Sequence, residues 1–248
     1  MVMKATDKPT FDTSDRQRIY EYVERNGAVR PEALYDESIV RIEPERFRQL
    51  VAIMKRDGVL EEVDGKLRVA LEGGAREEYR TANFDFEIRP ARQEDFSGIL
   101  GVIEQVATQR TYIEAESVAE QLNHEEALIR HNDLDTRMFF VATVDDEVVG
   151  WCHVEAPELE KLRHTAKLTI GILAEYQSEG LGSHLLQRGL SWAGSNGYEK
   201  VYQSVPATND RAIAFLKEHG WEEEARREAH YKLDDEYVDE VMLARHLT

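Results

Sequence analysis

Apolar positions along the chain change their spacing several times, and each change marks an element. Ile19, Tyr20, Tyr22 and Val23 recur at helical spacing behind Ser14-Asp-Arg-Gln17, which reads as a capping box. Asn26-Gly27 tolerates positive φ and predicts the end of that helix. Pro31 opens a second, short helix carrying Leu34 and Tyr35. Pro44 opens a third, with Phe47, Leu50, Val51 and Met54 on one face and Asp57-Gly58 as its stop. Val59–Val63 and Lys66–Val69 then flank Asp64-Gly65, a strong short-range hairpin signal.

Gly73-Gly74 breaks any element, and no apolar period returns until Phe84, so residues 72–84 are expected to be a linker. Beyond it, Phe96, Ile99, Leu100, Val102 and Ile103 suit a helix, and Val118, Leu122, Leu128 and Ile129 suit another. Met138–Val144 and Val148–Val154 read as strands joined by a turn at Asp145 to Glu147.

The most informative stretch runs from His164 to His184. Leu168–Leu173 is a strand, Gln177 to Gly182 a tight polar turn, and Leu181, Leu185, Leu186 and Leu190 repeat at helical spacing. Strand, glycine turn and helix in that order build an anion site, because glycines admit close backbone approach and the free amides of the helix start point at a phosphate. Tyr198–Val205 reads as a further strand. Asn209 to Gly220 reads as a helix with an Asn cap and a Gly stop.

These residues carry a resemblance. Gln177, Gly180 and Gly182 match the Arg/Gln-x-x-Gly-x-Gly/Ala loop of the GNAT superfamily of acyl-CoA-dependent N-acetyltransferases. Asn209, Ala212, Ile213, Gly220 and Trp221 resemble its later Asn-x-x-Ala-Ile-x-x-Tyr-x-x-x-Gly-Phe motif. Phe86–Asp95 and Tyr237–Met242 resemble its first and last strands. The resemblance implies a GNAT domain over residues 85–248, of α/β (α+β) class, with a mixed, mostly antiparallel central sheet and helices on both faces. Residues 11–71, with three helices and a hairpin, resemble a winged helix-turn-helix domain.

The resemblance implies acetyl transfer from acetyl-CoA, as cosubstrate and without a metal, to an amine: a small amine, an amino acid or a protein amine. Ser178, Glu179, Gly180, Leu181, Gly182 and Ser183 would hold the diphosphate through their amides. Ile170, Gly171 and Ile172 would pair with the pantetheine arm, joined by Gln177, Asn209 and Phe215. Tyr112 and Glu114 fall where the family often builds its substrate pocket. An amine must lose a proton before it attacks. Glu155, His153 and His164 are candidate bases, and His153 and Glu155 share a strand face. Leu216 stands where many members carry a tyrosine acid, which leaves Tyr202 or Tyr231 as candidates for that role. A second reading is an acyl-CoA-sensing DNA-binding regulator with a degenerate GNAT domain. A third is a two-domain scaffold whose front unit mediates homodimer contacts.

Composition narrows the setting. The 248 residues carry a formal charge of −18. Residues 11–72 hold 14 acidic and 11 basic side chains, against 34 and 18 in residues 73–248. The acidic surface and few lysines fit a halophilic cytoplasm, where salt screens self-repulsion. Arg46, Arg48, Lys55 and Arg56 on the third helix, with Arg41 before it, invite DNA. Glu43, Glu45 and Asp57 beside them, and the lack of net positive charge, oppose it. The single cysteine, Cys152, excludes an internal disulfide. No membrane-length apolar run and no secretory leader at the start predict a cytoplasmic protein.

Overall fold

A computed structural model describes residues 9–36, 42–71, 73–108, 113–132, 135–157, 159–233 and 235–247. The front of the chain folds as α1 (Ser14–Asn26), α2 (Ala33–Asp36), α3 (Pro44–Arg56), β1 (Leu60–Val63) and β2 (Lys66–Val69). The cap of α1 lies one residue earlier than expected: the Thr13 hydroxyl, not Ser14, accepts from the Arg16 amide at 3.4 Å. The β1–β2 turn places Asp64 at φ 53° and Gly65 at φ 72°, the mirror-image turn that suits the twist of a two-residue hairpin. The buried face of α3 is Phe47, Leu50, Val51 and Met54, as the spacing predicts. Three of its four basic residues have acidic partners in the same unit, Arg46 with Asp15, Lys55 with Glu62, and Arg56 with Asp57, while Arg48 donates to the Pro44 carbonyl. Arg41 lies outside the described residues.

The expected linker contains a strand. β3 (Glu77–Arg80) pairs antiparallel with β4 (Asp85–Pro90). Its alternation escapes notice because it is an edge strand of charged residues, with Tyr79 stacked on Phe86 at 5.1 Å. Next come α4 (Phe96–Ala107), α5 (Ile113–Glu125), β5 (Arg130–His131), β6 (Asp135–Val144), β7 (Glu147–Pro157) and β8 (Thr165–Ile172). The chain closes with α6 (Leu181–Ser195), β9 (Lys200–Pro206), α7 (Asp210–Glu218), β10 (Glu222–Leu233) and β11 (Glu236–His246). Leu128 and Ile129 fall beyond α5 rather than in it, after Glu126 at φ 56°.

The sheet runs β10-β11-β9-β8-β7-β6-β4-β3, with β5 beside β6. Its pairs are antiparallel except β8 with β9. That parallel pairing ends at Lys167 opposite Tyr202. Beyond it β8 stays paired to β7 alone and β9 to β11 alone, so the two strands part and Leu168–Ile172 present a free edge. α4 and α5 bury Ile99, Val102, Ile103, Val118 and Leu122 against Phe139, Val141 and Trp151 on one side. α6 buries Leu185, Leu186 and Leu190 in a second core, continuous with that of the front helices. The charged β10 closes one sheet edge, and charged side chains disfavour pairing of such an edge with another strand.

The front unit meets the sheet through polar contacts. The Tyr20 hydroxyl donates to the His131 carbonyl at 2.8 Å. Glu24, only 5% exposed, accepts from Arg130 at 3.2 Å and from Asn132 at 2.9 Å. Arg130 and the fully buried Arg137 both reach Glu125 at the end of α5. Among the described residues no helix is long and apolar enough to cross a membrane.

Candidate active site

A cavity of about 530 Å³ opens where β8 and β9 part. One wall is the free edge of β8, and the loop from Gln177 to Ser183 forms its rim. Gln177 fastens that loop by donating from Nε2 to the Ile172 carbonyl at 2.8 Å. Ser178 at φ 69° and Gly180 at φ 85° turn the backbone left-handed, which gathers successive amides into an anion-binding concavity. Gly180 caps α6 without a side-chain acceptor. Among the described residues, the amides of Ser178 to Gly182 donate to no protein group. Gly182 keeps the rim open: a Cβ there would lie 3.1 Å from Ile172 Cδ1 and 3.5 Å from Phe215 Cζ.

The opposite wall is α7. Asn209 caps it by accepting from the Ala212 amide at 3.1 Å. Arg211 donates from Nη2 to Ser178 Oγ at 3.3 Å, bridging helix and loop. At the inner end Glu114, in the first turn of α5, pairs with Lys167 of β8. The Thr169 hydroxyl and the Gln203 carbonyl oxygen are buried there with no protein partner. Buried polar groups without partners are costly, so these two are suited to meeting a ligand.

The model of the Acetyltransferase (GNAT) family matches residues 103–221. This stretch is similar to GNAT acetyltransferases. An N-alpha-acetyltransferase of Sulfurisphaera tokodaii is 34% identical over 110 residues, which are 40% of this chain and 64% of that protein. The probable N-acetyltransferase san of Drosophila melanogaster is 28% identical over 93 residues, 37% of this chain and 50% of its own. The chain thus spans between half and two thirds of the length of these curated relatives. Two solved structures share the fold. One is an acetyltransferase of the GNAT family from Streptococcus pneumoniae, with TM-score 0.53 and 20% identity over 65% of this chain and 99% of that one. The other is yncA from Salmonella typhimurium with its cofactor acetyl-CoA, with TM-score 0.54 and 16% identity over 66% and 94%.

Most of the cofactor residues expected from the sequence line this cavity. Ile170, Gly171 and Ile172 do so from β8. Gln177, Ser178, Gly180, Gly182 and Ser183 do so from the loop, and Asn209 and Phe215 from α7. Glu179 and Leu181 do not. The Glu179 carboxylate is turned to Asn83 Nδ2 at 2.6 Å, and the Leu181 side chain is fully buried in the core. Their amides donate to no protein group among the described residues. Glu114 lines the inner end, while Tyr112 lies outside the described residues.

The expected acid and base candidates separate. His153 and Glu155 do share a β7 face, but His153 is fully buried and stacked on Phe139 at 4.5 Å. Burial, aided by Arg137 and Lys167, holds its pKa well below the usual histidine range, so it is neutral. Glu155 accepts from Gln121 Nε2 at 3.3 Å. Burial raises the pKa of Tyr202, with Lys167 opposing and Glu155 and Glu114 adding to the rise. Burial also raises that of Tyr231, whose hydroxyl donates to Glu240 at 3.0 Å. His164 is exposed just before β8, whereas the cavity opens at the other end of that strand. Its carbonyl accepts from the Glu199 and Lys200 amides.

Sequence reasoning missed Lys167, Gln203 and Arg211. The first two look like ordinary alternating polar residues of strands. Arg211 did carry a signal, since a cation in the first turn of a helix opposes the macrodipole.

Proposed function

We propose that the chain transfers an acetyl group from acetyl-CoA to an amine. The observation that carries this reading is the unpaired edge of β8 running into an amide-lined, glycine-opened loop. Acetyl-CoA supplies the acetyl thioester. The edge of Leu168–Ile172 suits the amides of a pantetheine arm, and the amides from Ser178 to Gly182 suit a diphosphate. Thr169 and Gln203 supply unpaired polar atoms at the inner end.

In the transfer a C–N bond forms, the thioester C–S bond breaks, and the amine nitrogen gives up a proton. Among the pocket-lining carboxylates, Glu114 stands at this inner end. It takes the amine proton, and its ion pair with Lys167 positions the carboxylate. Tyr202, opposite Lys167 in the sheet and protonated at neutral pH, is our candidate for the acid that Leu216 does not provide. Glu155 tunes Tyr202 through its charge. Residues 11–71 read as a winged-helix-like unit that braces the GNAT domain, consistent with the internal ion pairs of α3.

Thermal unfolding with acetyl-CoA, combined with CoA release on a panel of amines, tests this function. A ligand at 100 times its Kd stabilises by about 2.7 kcal/mol. Glu114→Gln lowers kcat/KM by about 10²-fold or more, the scale of general-base catalysis, and leaves acetyl-CoA affinity unchanged. Folded wild-type protein with no acetyl-CoA shift overturns the function. Full activity in Glu114→Gln overturns the base.

A further inference from the structure

We infer that Arg211, which sits on α7 outside the glycine loop, is the cation that holds the diphosphate of acetyl-CoA. This assignment rests on the proposed function and adds a residue that selects for a phosphorylated acyl carrier. The charge of the cavity lining carries it. From Gln177 to Ser183 the loop contains no Lys or Arg. Its glutamine side chain is already used on the Ile172 carbonyl, and its one carboxylate is turned to Asn83. Among the described residues lining the cavity, Arg211 is the only basic one.

Nearby cations are engaged elsewhere. Arg188 holds Glu77 and the carbonyls of Gly73 and Ala75. Lys217 pairs with Glu223, and Arg245 donates to the His219 carbonyl. Arg211 differs from these. Among the described residues it forms no ion pair, and its hydrogen bond goes to Ser178 Oγ, on the residue that begins the free-amide run.

Its position is locally unfavourable. Arg211 lies in the first turn of α7, at the positive end of the helix dipole. Asp210 precedes it in the same turn and answers part of that conflict, but among the described residues the guanidinium itself has no carboxylate partner. An anion between the loop amides and α7 removes the conflict, because it meets the dipole, the amides and the guanidinium together. The protein's charge of −18 makes a local cation more necessary for a polyanionic ligand. The buried, unpartnered Thr169 and Gln203 oxygens independently mark the same cavity as one that receives a ligand.

The test is calorimetric binding of acetyl-CoA, acetyl-dephospho-CoA and S-acetylpantetheine to the full chain, wild type and Arg211→Ala, with Arg211→Lys as the conservative variant. Arg211 is exposed, and matched unfolding midpoints establish that its variants fold. Loss of a charge-assisted hydrogen bond weakens acetyl-CoA and acetyl-dephospho-CoA alike by about tenfold or more in Arg211→Ala. The salt dependence of binding also falls. Arg211→Lys recovers part of the loss, and S-acetylpantetheine, which has no phosphate, binds both proteins equally.

Wild-type affinity for acetyl-CoA in Arg211→Ala overturns the inference and leaves the function standing. An equal loss for S-acetylpantetheine overturns it as a structural effect. A loss confined to acetyl-CoA and absent with the dephospho form overturns the diphosphate assignment in favour of the 3′-phosphate. No acetyl-CoA binding by the wild type overturns the function itself.

Discussion

Gly182→Ala separates binding from stability. Gly182 is helical, in the first turn of α6, so alanine gains roughly 1 kcal/mol in helix propensity. Against this, the new methyl carbon lies 3.1 Å from Ile172 Cδ1 and 3.5 Å from Phe215 Cζ. Overpacking costs about 1–3 kcal/mol where neighbours cannot move. Here the tighter neighbour is the far end of an isoleucine that borders an open cavity, so the cost falls at the low end. The two effects nearly cancel, and the variant's unfolding free energy in urea titration stays within about 1 kcal/mol of wild type.

Binding has no such compensation. The methyl enters the rim between Ile172 and Phe215 and keeps a diphosphate from the Gly182 amide. One charge-assisted hydrogen bond, about 1.5–3 kcal/mol, corresponds to about a 10- to 100-fold loss of acetyl-CoA affinity. Urea denaturation and calorimetry on the same preparations measure both quantities. Gly180→Ala is the contrast: nothing lies within 4 Å of its Cβ, but φ is +85°, so it loses about 1–2 kcal/mol of stability from left-handed strain. Wild-type acetyl-CoA affinity in a stable Gly182→Ala protein would refute the placement of the diphosphate on this rim.

Other consequences are equally direct. Glu24→Ala leaves Arg130 with Glu125 as its carboxylate and uncovers a buried junction, and denaturant titration should show a loss of about 3 kcal/mol, the scale of a broken buried pair. His153 is neutral in the fold because burial lowers its pKa, whereas the unfolded chain protonates it near 6.5. Stability is therefore lost as pH falls below about 6.5, and His153→Phe flattens the slope of unfolding free energy between pH 7 and 5. Cys152 is fully buried, and its thiol pKa is pushed up by burial. A thiol reagent should label it only on unfolding, and rapid labelling of native protein contradicts the packing of α6 against β7.

Local chemistry made much of the fold readable. The Asp64-Gly65 turn, the α3 apolar face and the Asn209 cap each follow from a few neighbouring residues, and each lies where its pattern predicts. β3 and β10 were not readable. Both are sheet edges with charged side chains, and a strand that buries little leaves little hydrophobic alternation. The turn of the glycine loop was readable because its backbone freedom is written in residue type.

The partners in the cavity were decided by tertiary structure. Glu114 and Lys167 are far apart in sequence, and they meet because α5 lies over β8 where its parallel partner turns away. His153 and Glu155 look alike in a strand pattern, yet packing against Phe139 buries one ring completely. Arg211 faces Ser178 because α7 returns across the cavity mouth. Sequence determined the turns, caps, apolar faces and glycine loop, since these depend on neighbours along the chain. Burial, charge pairing and the opening of β8 from β9 depend on which distant segments share a face, and only the folded chain sets that.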